Sequence, residues 1–513
     1  MAQNLAAAAL ALFATLAPAG ERQELEALRA TTLNLIRLLV TEGILTQEKA
    51  NALIRQAQAA AQAAAGKPGP AVRVPYVPQV VREQLKDELR EEVIAQAKAE
   101  RWADPGRLPA WADRLVLEGD VRLRLQRDFL DRDNAPAAFF QALGQNINNT
   151  TEDRTRLRLR ARLGLRASIA EGVQAGLAFA TGTVGSTGSP NSTNNTLGDY
   201  FNRQSAGIDL AYVRWQPHEV LTLQGGRIEN PFFGTDLLWA PDLRFDGVAA
   251  SLRPFLREDV KPFLSLGAFP LREFEPIPES NPSRRNKWLY ATQVGVDFGA
   301  PDATLLRLGA AYYSYRNVAG IPNVGAAGTP GATLQDWTAP QFRQKGNTLF
   351  PISVAGTPLA NVLYGLASQF RIVNLTGELG LRYDEFKRFS VTADWAKNAG
   401  FDRAEILSRA GGTLEPRTFA FHARASFGHR LIERWGDWSV FGGYKRIERD
   451  AVLDAFNDGD FNLGGTNAKG WYLGGTYGVG RNAWFAFKYT TANQVDGPPL
   501  AIDVLQLDFN ARF

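Results

Sequence analysis

The chain has no cysteine, one methionine and only three histidines, His218, His422 and His429, far apart in sequence. Without cysteine there is no disulfide framework, no thiolate nucleophile and no cysteine-held zinc. The histidines and carboxylates show no metal-ligand spacing, so no metal and no cofactor are expected. No serine sits in a nucleophile elbow and no glycine loop cradles phosphate in the Walker manner, which speaks against an enzyme. After residue 20 there is no uninterrupted apolar run of the roughly 20 residues that a transmembrane helix needs. That absence leaves membrane-crossing strands open, because strands with alternating faces never give a hydropathy peak. Charge of one sign is scarce too: 57 Lys and Arg against 53 Asp and Glu leave a net charge of +4. A nucleic-acid partner would ask for a concentrated basic patch with interleaved aromatics and is not expected.

What the chain does have is glycine, 48 residues of it, 11% aromatics, and alternation. The last stretch, Ile502 to Phe513, places Leu505, Leu507, Phe509, Ala511 and Phe513 on one face. Val504, Gln506, Asp508, Asn510 and Arg512 fall on the other. A period of two is a β-strand with one apolar and one polar face. Such a strand ending on Phe513 fits an outer-membrane barrel, whose apolar face meets lipid and whose polar face meets the lumen. Sixteen segments of this kind can be marked, from 115–126 and 154–168 to 482–490 and 502–513. Short joins alternate with long connections at 127–153, 184–205, 229–243, 274–286, 317–368, 399–415, 449–469 and 491–501. Short turns at one end and long loops at the other are the habit of a membrane barrel. The expected fold is therefore a 16-stranded antiparallel outer-membrane β-barrel over 113–513, with the long loops outside the cell. The parity of the fourth and fifth strands is ambiguous.

Upstream of the barrel, residues 1–19 read as a signal peptide ending in Ala17-Pro18-Ala19, although Met1 to Asn4 carries no basic residue. Residues 20–66 read as a helical hairpin or short coiled coil, and 67–112 as a proline-rich linker followed by a charged helix. These helices are expected in the periplasm.

The second strand, RTRLRLRARLGLR, is the most informative. It sets Arg154, Arg156, Arg158, Arg160, Arg162 and Arg166 on one face and leucines on the other. An arginine facing lipid at mid-depth costs about 2–4 kcal/mol, so this face must look inward. Glu118, Asp120, Arg122 and Arg124 of the first strand lie beside it, and Glu378, Arg382 and Arg424 are further pore-lining candidates. The ladder would draw anions. The alternative is a structural network in which carboxylates such as Glu118, Asp120, Asp297, Glu378, Asp394 and Asp508 neutralise it. The connection ENPFFGTDLLWAPDL is unusually apolar, and Phe232, Phe233, Asp236 and Trp239 are candidates for an inward constriction; packing on the rim is the alternative. The long connection 317–368 reads as a lid or surface feature. The acidic run Asp454 to Asp460 misses the calcium-loop pattern at Phe456 and Gly465 and reads as a solvated loop.

Four stretches resemble the Gram-negative "putative porin" family: 31–54, 74–93, 226–249 and 460–493, together with the terminal Phe513. The resemblance implies a periplasmic helical segment ahead of a sixteen-stranded barrel, and diffusion of small solutes through the outer membrane. It supplies no residue-level binding site. The expected function is passive passage of small hydrophilic or anionic solutes. The expected partners are outer-membrane lipid, the barrel assembly machinery reading Phe513, and further copies in a homotrimer. A plugged barrel serving as a surface adhesin or structural membrane anchor is the alternative.

Overall fold

The computed structural model describes residues 114–513, except 186–187 and 301–303. The signal peptide, helical hairpin, linker and charged helix expected before residue 113 lie outside the described residues. The elements in order are β1 (Leu115–Leu130), α1 (Ala137–Ala142), β2 (Arg154–Ala170), β3 (Val173–Thr181), β4 (Asn195–Thr196), β5 (Ala206–His218) and β6 (Leu221–Ile228). Then come β7 (Phe245–Leu252), β8 (Val260–Arg272), β9 (Lys287–Gly299), β10 (Leu305–Arg316), β11 (Leu349–Pro351) and β12 (Tyr364–Leu366). The chain ends with β13 (Arg371–Arg382), β14 (Lys387–Asn398), α2 (Arg403–Ala410), β15 (Phe419–His429), β16 (Trp438–Ile447), β17 (Ala468–Gly480), β18 (Ala483–Gln494) and β19 (Ile502–Arg512).

Seventeen strands share one sheet, and setting aside the two-residue β4 leaves sixteen as a wall. Each wall strand runs antiparallel to its neighbours, and β1 pairs with β19 from Asp120 opposite Arg512 to Leu130 opposite Ile502, so the sheet closes. Closure removes the edge and satisfies the backbone within the sheet, which hydrocarbon requires. The wall strands match the sixteen expected segments to within about four residues at each end. The long connections all fall at one end of the barrel and the short turns at the other. The connection between β10 and β13 is not structureless, since β11 and β12 pair within it.

The outer face is apolar and exposed, as Val121, Leu123 and Leu125 of β1 and Leu157, Leu163 and Leu165 of β2 show. Tyr290, Tyr312 and Trp471 stand out toward the long-loop end, and Trp215, Phe389, Tyr477 and Phe485 toward the short-turn end. Two aromatic girdles with an aliphatic band between them match a bilayer. Among the described residues no helix is long and apolar enough to cross a membrane. The ambiguous parity of β5 has a cause. Its pairing with β3 shifts register where Ala178 faces Leu210 and Phe179 faces Ile208, a bulge that inserts one residue. Ile208 above the bulge and Val213 and Trp215 below it then all point outward, although their parities differ.

The inner face is not polar throughout. At the long-loop end Ile228, Phe245, Phe269, Leu289, Tyr313 and Ile372 form one buried cluster with Leu237, Leu238, Trp239, Val452 and Leu453 of two connections. The apolar core therefore sits inside the barrel. A simple division into lipid-facing apolar and lumen-facing polar residues fails there, because the inward connections need an apolar seat.

The seam between β1 and β19 is tight. Gly119 and Phe513 exchange backbone hydrogen bonds of 3.1 and 3.0 Å. A Cβ on Gly119 would come within 2.5 Å of the Phe513 ring and 2.8 Å of the Arg162 carbonyl oxygen. Gly119→Val should therefore open the seam, while Gly164→Ala, whose added Cβ meets nothing closer than 3.4 Å, should be tolerated. The check is the temperature at which the folded band on a gel converts to the unfolded one. That temperature should drop for Gly119→Val and hold for Gly164→Ala.

Candidate functional site

The arginine ladder lies on the inner face, opposite the exposed leucines of β2. The register with β1 sets Arg160 directly across from Arg122 and Arg158 across from Arg124. Like charges directly opposite each other repel, and the structure answers with carboxylates. Arg124 makes a two-point contact with Asp508 of β19, at 2.7 and 2.9 Å, and reaches Asp460 at 2.9 Å. Arg156 reaches Asp128 at 2.6 Å. Arg160 and Arg162 share Asp120, at 2.8 and 2.6 Å, and each lies 3.7 Å from Asp242. Arg166 pairs with Glu118 at 2.6 Å, near the short-turn end. Arg122 donates to Asn194 at 2.6 Å and stands 3.9 Å from Asp508. Arg158 donates to Gln126 at 3.0 Å, and among the described residues no carboxylate pairs with it.

Two of these carboxylates belong to connections. Asp242 sits in the connection between β6 and β7 and Asp460 in that between β16 and β17, so both connections come back into the barrel. The first is fastened along its length. Phe233 exchanges hydrogen bonds with the Gln293 side chain of β9, at 2.7 and 2.6 Å. Thr235 donates to Asp394 of β14 through its amide and its hydroxyl, at 3.0 and 2.7 Å. Asp236 lies 2.7 Å from the Lys445 ammonium of β16 and 3.4 Å from His422 of β15. Partial burial raises the Asp236 carboxyl, but Lys445 and His422 outweigh it and hold it below the ordinary carboxylate range. Phe232 and Trp239 pack edge-on against Tyr313 at 5.4 and 5.1 Å. Lys445, 1% exposed, also bonds Asp458 of the second connection at 2.9 Å, so one ammonium ties both connections to the wall.

The acidic run from Asp454 to Asp460 is accordingly not a solvated loop. Asp454, Asn457 and Asp458 are buried, and Asp458 and Asp460 serve Lys445 and Arg124. Burial pushes the Asp454 carboxyl up to about 7, and one of its oxygens finds no hydrogen-bond donor among the described residues. Nearby Lys345, of the connection between β10 and β13, is pushed down to about 7 by burial. Its ammonium is held by the carbonyl oxygens of Asn462 and Gly464.

A cavity of about 650 Å³ opens between the ladder and these connections. Seven cations line it, Arg122, Arg154, Arg156, Arg158, Arg160, Lys345 and Lys488, against five carboxylates, Asp128, Asp236, Asp242, Asp458 and Asp460. Arg154, Arg158, Lys345 and Lys488 have no carboxylate partner among the described residues; the Lys345 ammonium is taken up by backbone carbonyls, and Lys488 rests over the Tyr472 ring at 5.5 Å.

The other candidates lie apart from the ladder. Glu378 stands 3.9 Å from Arg388 on the β13–β14 side of the wall. Asp297 pairs with Arg307 at 2.6 Å and Asp394 with Thr235, so neither neutralises the ladder. Arg382 donates to the Asp384 carbonyl at the short turn after β13. Arg424 is exposed on the inner face, with its guanidinium 4.5 Å from the Phe441 ring centre. Sequence reasoning missed Asp242, Asp458, Asp460, Lys445 and Lys488. The available signal was stoichiometric: β1 and β2 carry more arginines than nearby acids, so others had to come from the loops.

Lys445→Met should leave two carboxylates facing each other in the interior. The expected loss is about 3–5 kcal/mol of the stability with which the two connections dock, because a broken buried pair strands its charge. Protease sensitivity of residues 229–244 and 448–467 should rise sharply in the variant and fall back when Asp236→Asn and Asp458→Asn are added.

Asp454 sets a pH dependence of known sign. With the connection released its carboxyl ionises near the ordinary aspartate value of 3.8, whereas docked it holds its proton to about 7. The Asp454 contribution to docking is thus fully present below the lower value and is lost as pH rises through about 7. Asp454→Asn should slow amide exchange in residues 449–467 at pH 8 and leave it unchanged at pH 4. Equal exchange in both proteins at pH 8 would remove the assignment.

The sequence profile of a family described as "Putative porin" matches residues 29–513. No curated protein matches the chain. Among solved structures the chain is similar to OprB of Pseudomonas putida at high pH, with 12% identity, a TM-score of 0.45, and coverage of 78% of this chain and 95% of that one. It is also similar to the outer membrane channel DcaP of Acinetobacter baumannii, at 9% identity and a TM-score of 0.40, covering 78% and 97%. A mutant of the Rh. blastica porin gives 11%, 0.37, 78% and 100%. The family profile spans nearly the whole chain, the barrel included: the chain belongs to the "Putative porin" family of outer-membrane barrels.

Proposed function

We propose that the barrel passes small hydrophilic solutes across the outer membrane by passive diffusion and prefers anions. The observation that carries the preference is the cavity beside the ladder, where Arg154, Arg158 and Lys488 stand without carboxylate partners. Arginines paired with a carboxylate cancel most of their own field, while unpaired ones raise the local anion concentration and offer weak successive sites. The ladder is then largely a structural network, and three cations carry the selectivity. In this reading the long connections face the cell exterior, the N-terminal helices lie in the periplasm, and three copies associate. The strand ending at Phe513 is the one the assembly machinery takes up.

One observation favours the second reading, a plugged barrel that displays its loops as an adhesin or anchors the membrane: the inward connections and the wall share one apolar core. Planar-bilayer recording under a salt gradient separates the two. The channel reading expects stable conductance with an anion-selective reversal potential. Arg158→Gln with Lys488→Gln should move that potential toward zero. Arg156→Gln with Asp128→Asn removes a pair, keeps the net charge, and should leave it in place. Folded barrels without conductance would establish the plugged reading; conductance with a reversal potential indifferent to Arg158 and Lys488 would remove the anion assignment.

A further inference from the structure

A second cavity, of about 750 Å³, opens at the long-loop end of the barrel, on the side of β5 to β9. Its volume is in the range of small-molecule sites. Trp239, Phe245, Phe269, Leu289, Leu453 and Phe456 give it an apolar, largely aromatic floor. Its lining also holds four cations, Arg227, Arg244, Arg272 and Lys287, but a single carboxylate, Asp246.

Two of the cations are already matched. Arg227 bonds both oxygens of Asp246, at 3.0 and 3.1 Å, and Arg244 pairs with Asp209 at 3.0 Å. The other two are not. Lys287 is 5% exposed, and among the described residues its ammonium donates only to the carbonyl oxygens of Thr338 and Ala339, at 3.1 and 2.9 Å. Arg272 lies 4.9 Å over the Phe274 ring and makes no ion pair among the described residues. An ammonium has three donors, so Lys287 keeps one in hand. A buried charge without a counterion is costly, and an anion arriving at this place would relieve that cost.

We propose that this cavity binds small amphipathic anions, a flat aromatic body carrying one carboxylate. The floor takes the ring by hydrophobic and edge-to-face contact. Lys287 and Arg272 take the carboxylate through charge-assisted hydrogen bonds. A neutral hydrocarbon would leave both cations unmatched. A polyol would find its one carboxylate acceptor, Asp246, already engaged. A cation would meet like charge. The site goes beyond the channel reading and does not depend on conduction.

The test is calorimetric titration of the purified, folded full-length protein in detergent with three probes. They are 2-naphthoate, 2-naphthalenemethanol with the same ring and no charge, and acetate with the charge and no ring. Saturable binding of 2-naphthoate, at least about tenfold tighter than either other probe, is expected. Lys287→Gln and Arg272→Gln should each weaken 2-naphthoate about tenfold and leave the alcohol unchanged. Should Lys287→Gln fail to fold, Arg272→Gln decides the charge requirement alone. No saturable naphthoate binding, equal affinity for the three probes, or binding indifferent to the arginine would overturn the assignment. Bilayer recording of the same preparation separates this result from the channel reading. Binding without conductance keeps the site and removes the channel, and conductance without binding does the reverse.

Discussion

An arginine held against hydrocarbon costs several kcal/mol, and six of them on alternate residues of β2 leave one orientation for that strand. Antiparallel pairing passes the orientation to β1 and onward around the closed wall. The same ladder creates a second demand. The register puts Arg122 against Arg160 and Arg124 against Arg158, and those like charges must be screened from somewhere. Asp120 and Asp508 on the adjacent strands screen part of them. The rest falls to Asp242 and Asp460, which sit in connections and can reach the ladder only if those connections fold inward. The charge pattern of one strand thus governs which face is inside and what fills the inside.

The connection from Glu229 to Arg244 shows how the two halves of the interior are kept apart. Its Asp236, Pro241 and Asp242 line the cavity beside the ladder, while its Trp239 and Leu243 line the cavity over the apolar floor. The polar groups find cations on β2 and β16, and the apolar ones find Phe245, Phe269 and Tyr313. A segment so amphipathic has no stable position on the rim, where one of its faces would be left in water. Across the lumen both faces are met, and the segment becomes a partition between a charged compartment and an aromatic one.

The wall was legible because its code is local. Alternation within each segment and the rhythm of short and long connections need no knowledge of what lies across the barrel. β5 escaped for a local reason as well, since a single bulged residue near Asp209 exchanges the two parities midway. The interior was legible only in part. The direction of the ladder could be read from β2 by itself. Glu378 and Arg382 share its polarity but stand on the far wall and at a turn, and no periodicity carries that information. The acidic run 454–460 looks like a solvated loop because acids near glycine usually are. Its burial depends on Lys445 and Arg124, 13 and 336 residues from their partners Asp458 and Asp460.

A net charge of +4 understates what this interior does with charge. Most of the ionic groups inside are used in pairs that hold connections to the wall, and each such pair contributes little field beyond its own neighbourhood. If the barrel conducts as proposed, what a passing ion meets is the remainder, the cations left without a carboxylate partner among the described residues. Arg154, Arg158 and Lys488 stand in one compartment, and Lys287 and Arg272 in the other. The two sets differ in surroundings. The first is ringed by other charges and amides, which favours weak, exchangeable contact with hydrated anions. The second sits over aromatic rings, which rewards an anion that brings an apolar body with it. On the proposed channel reading, selectivity therefore follows from which cations the structural network leaves over, and from what lies beside each of them.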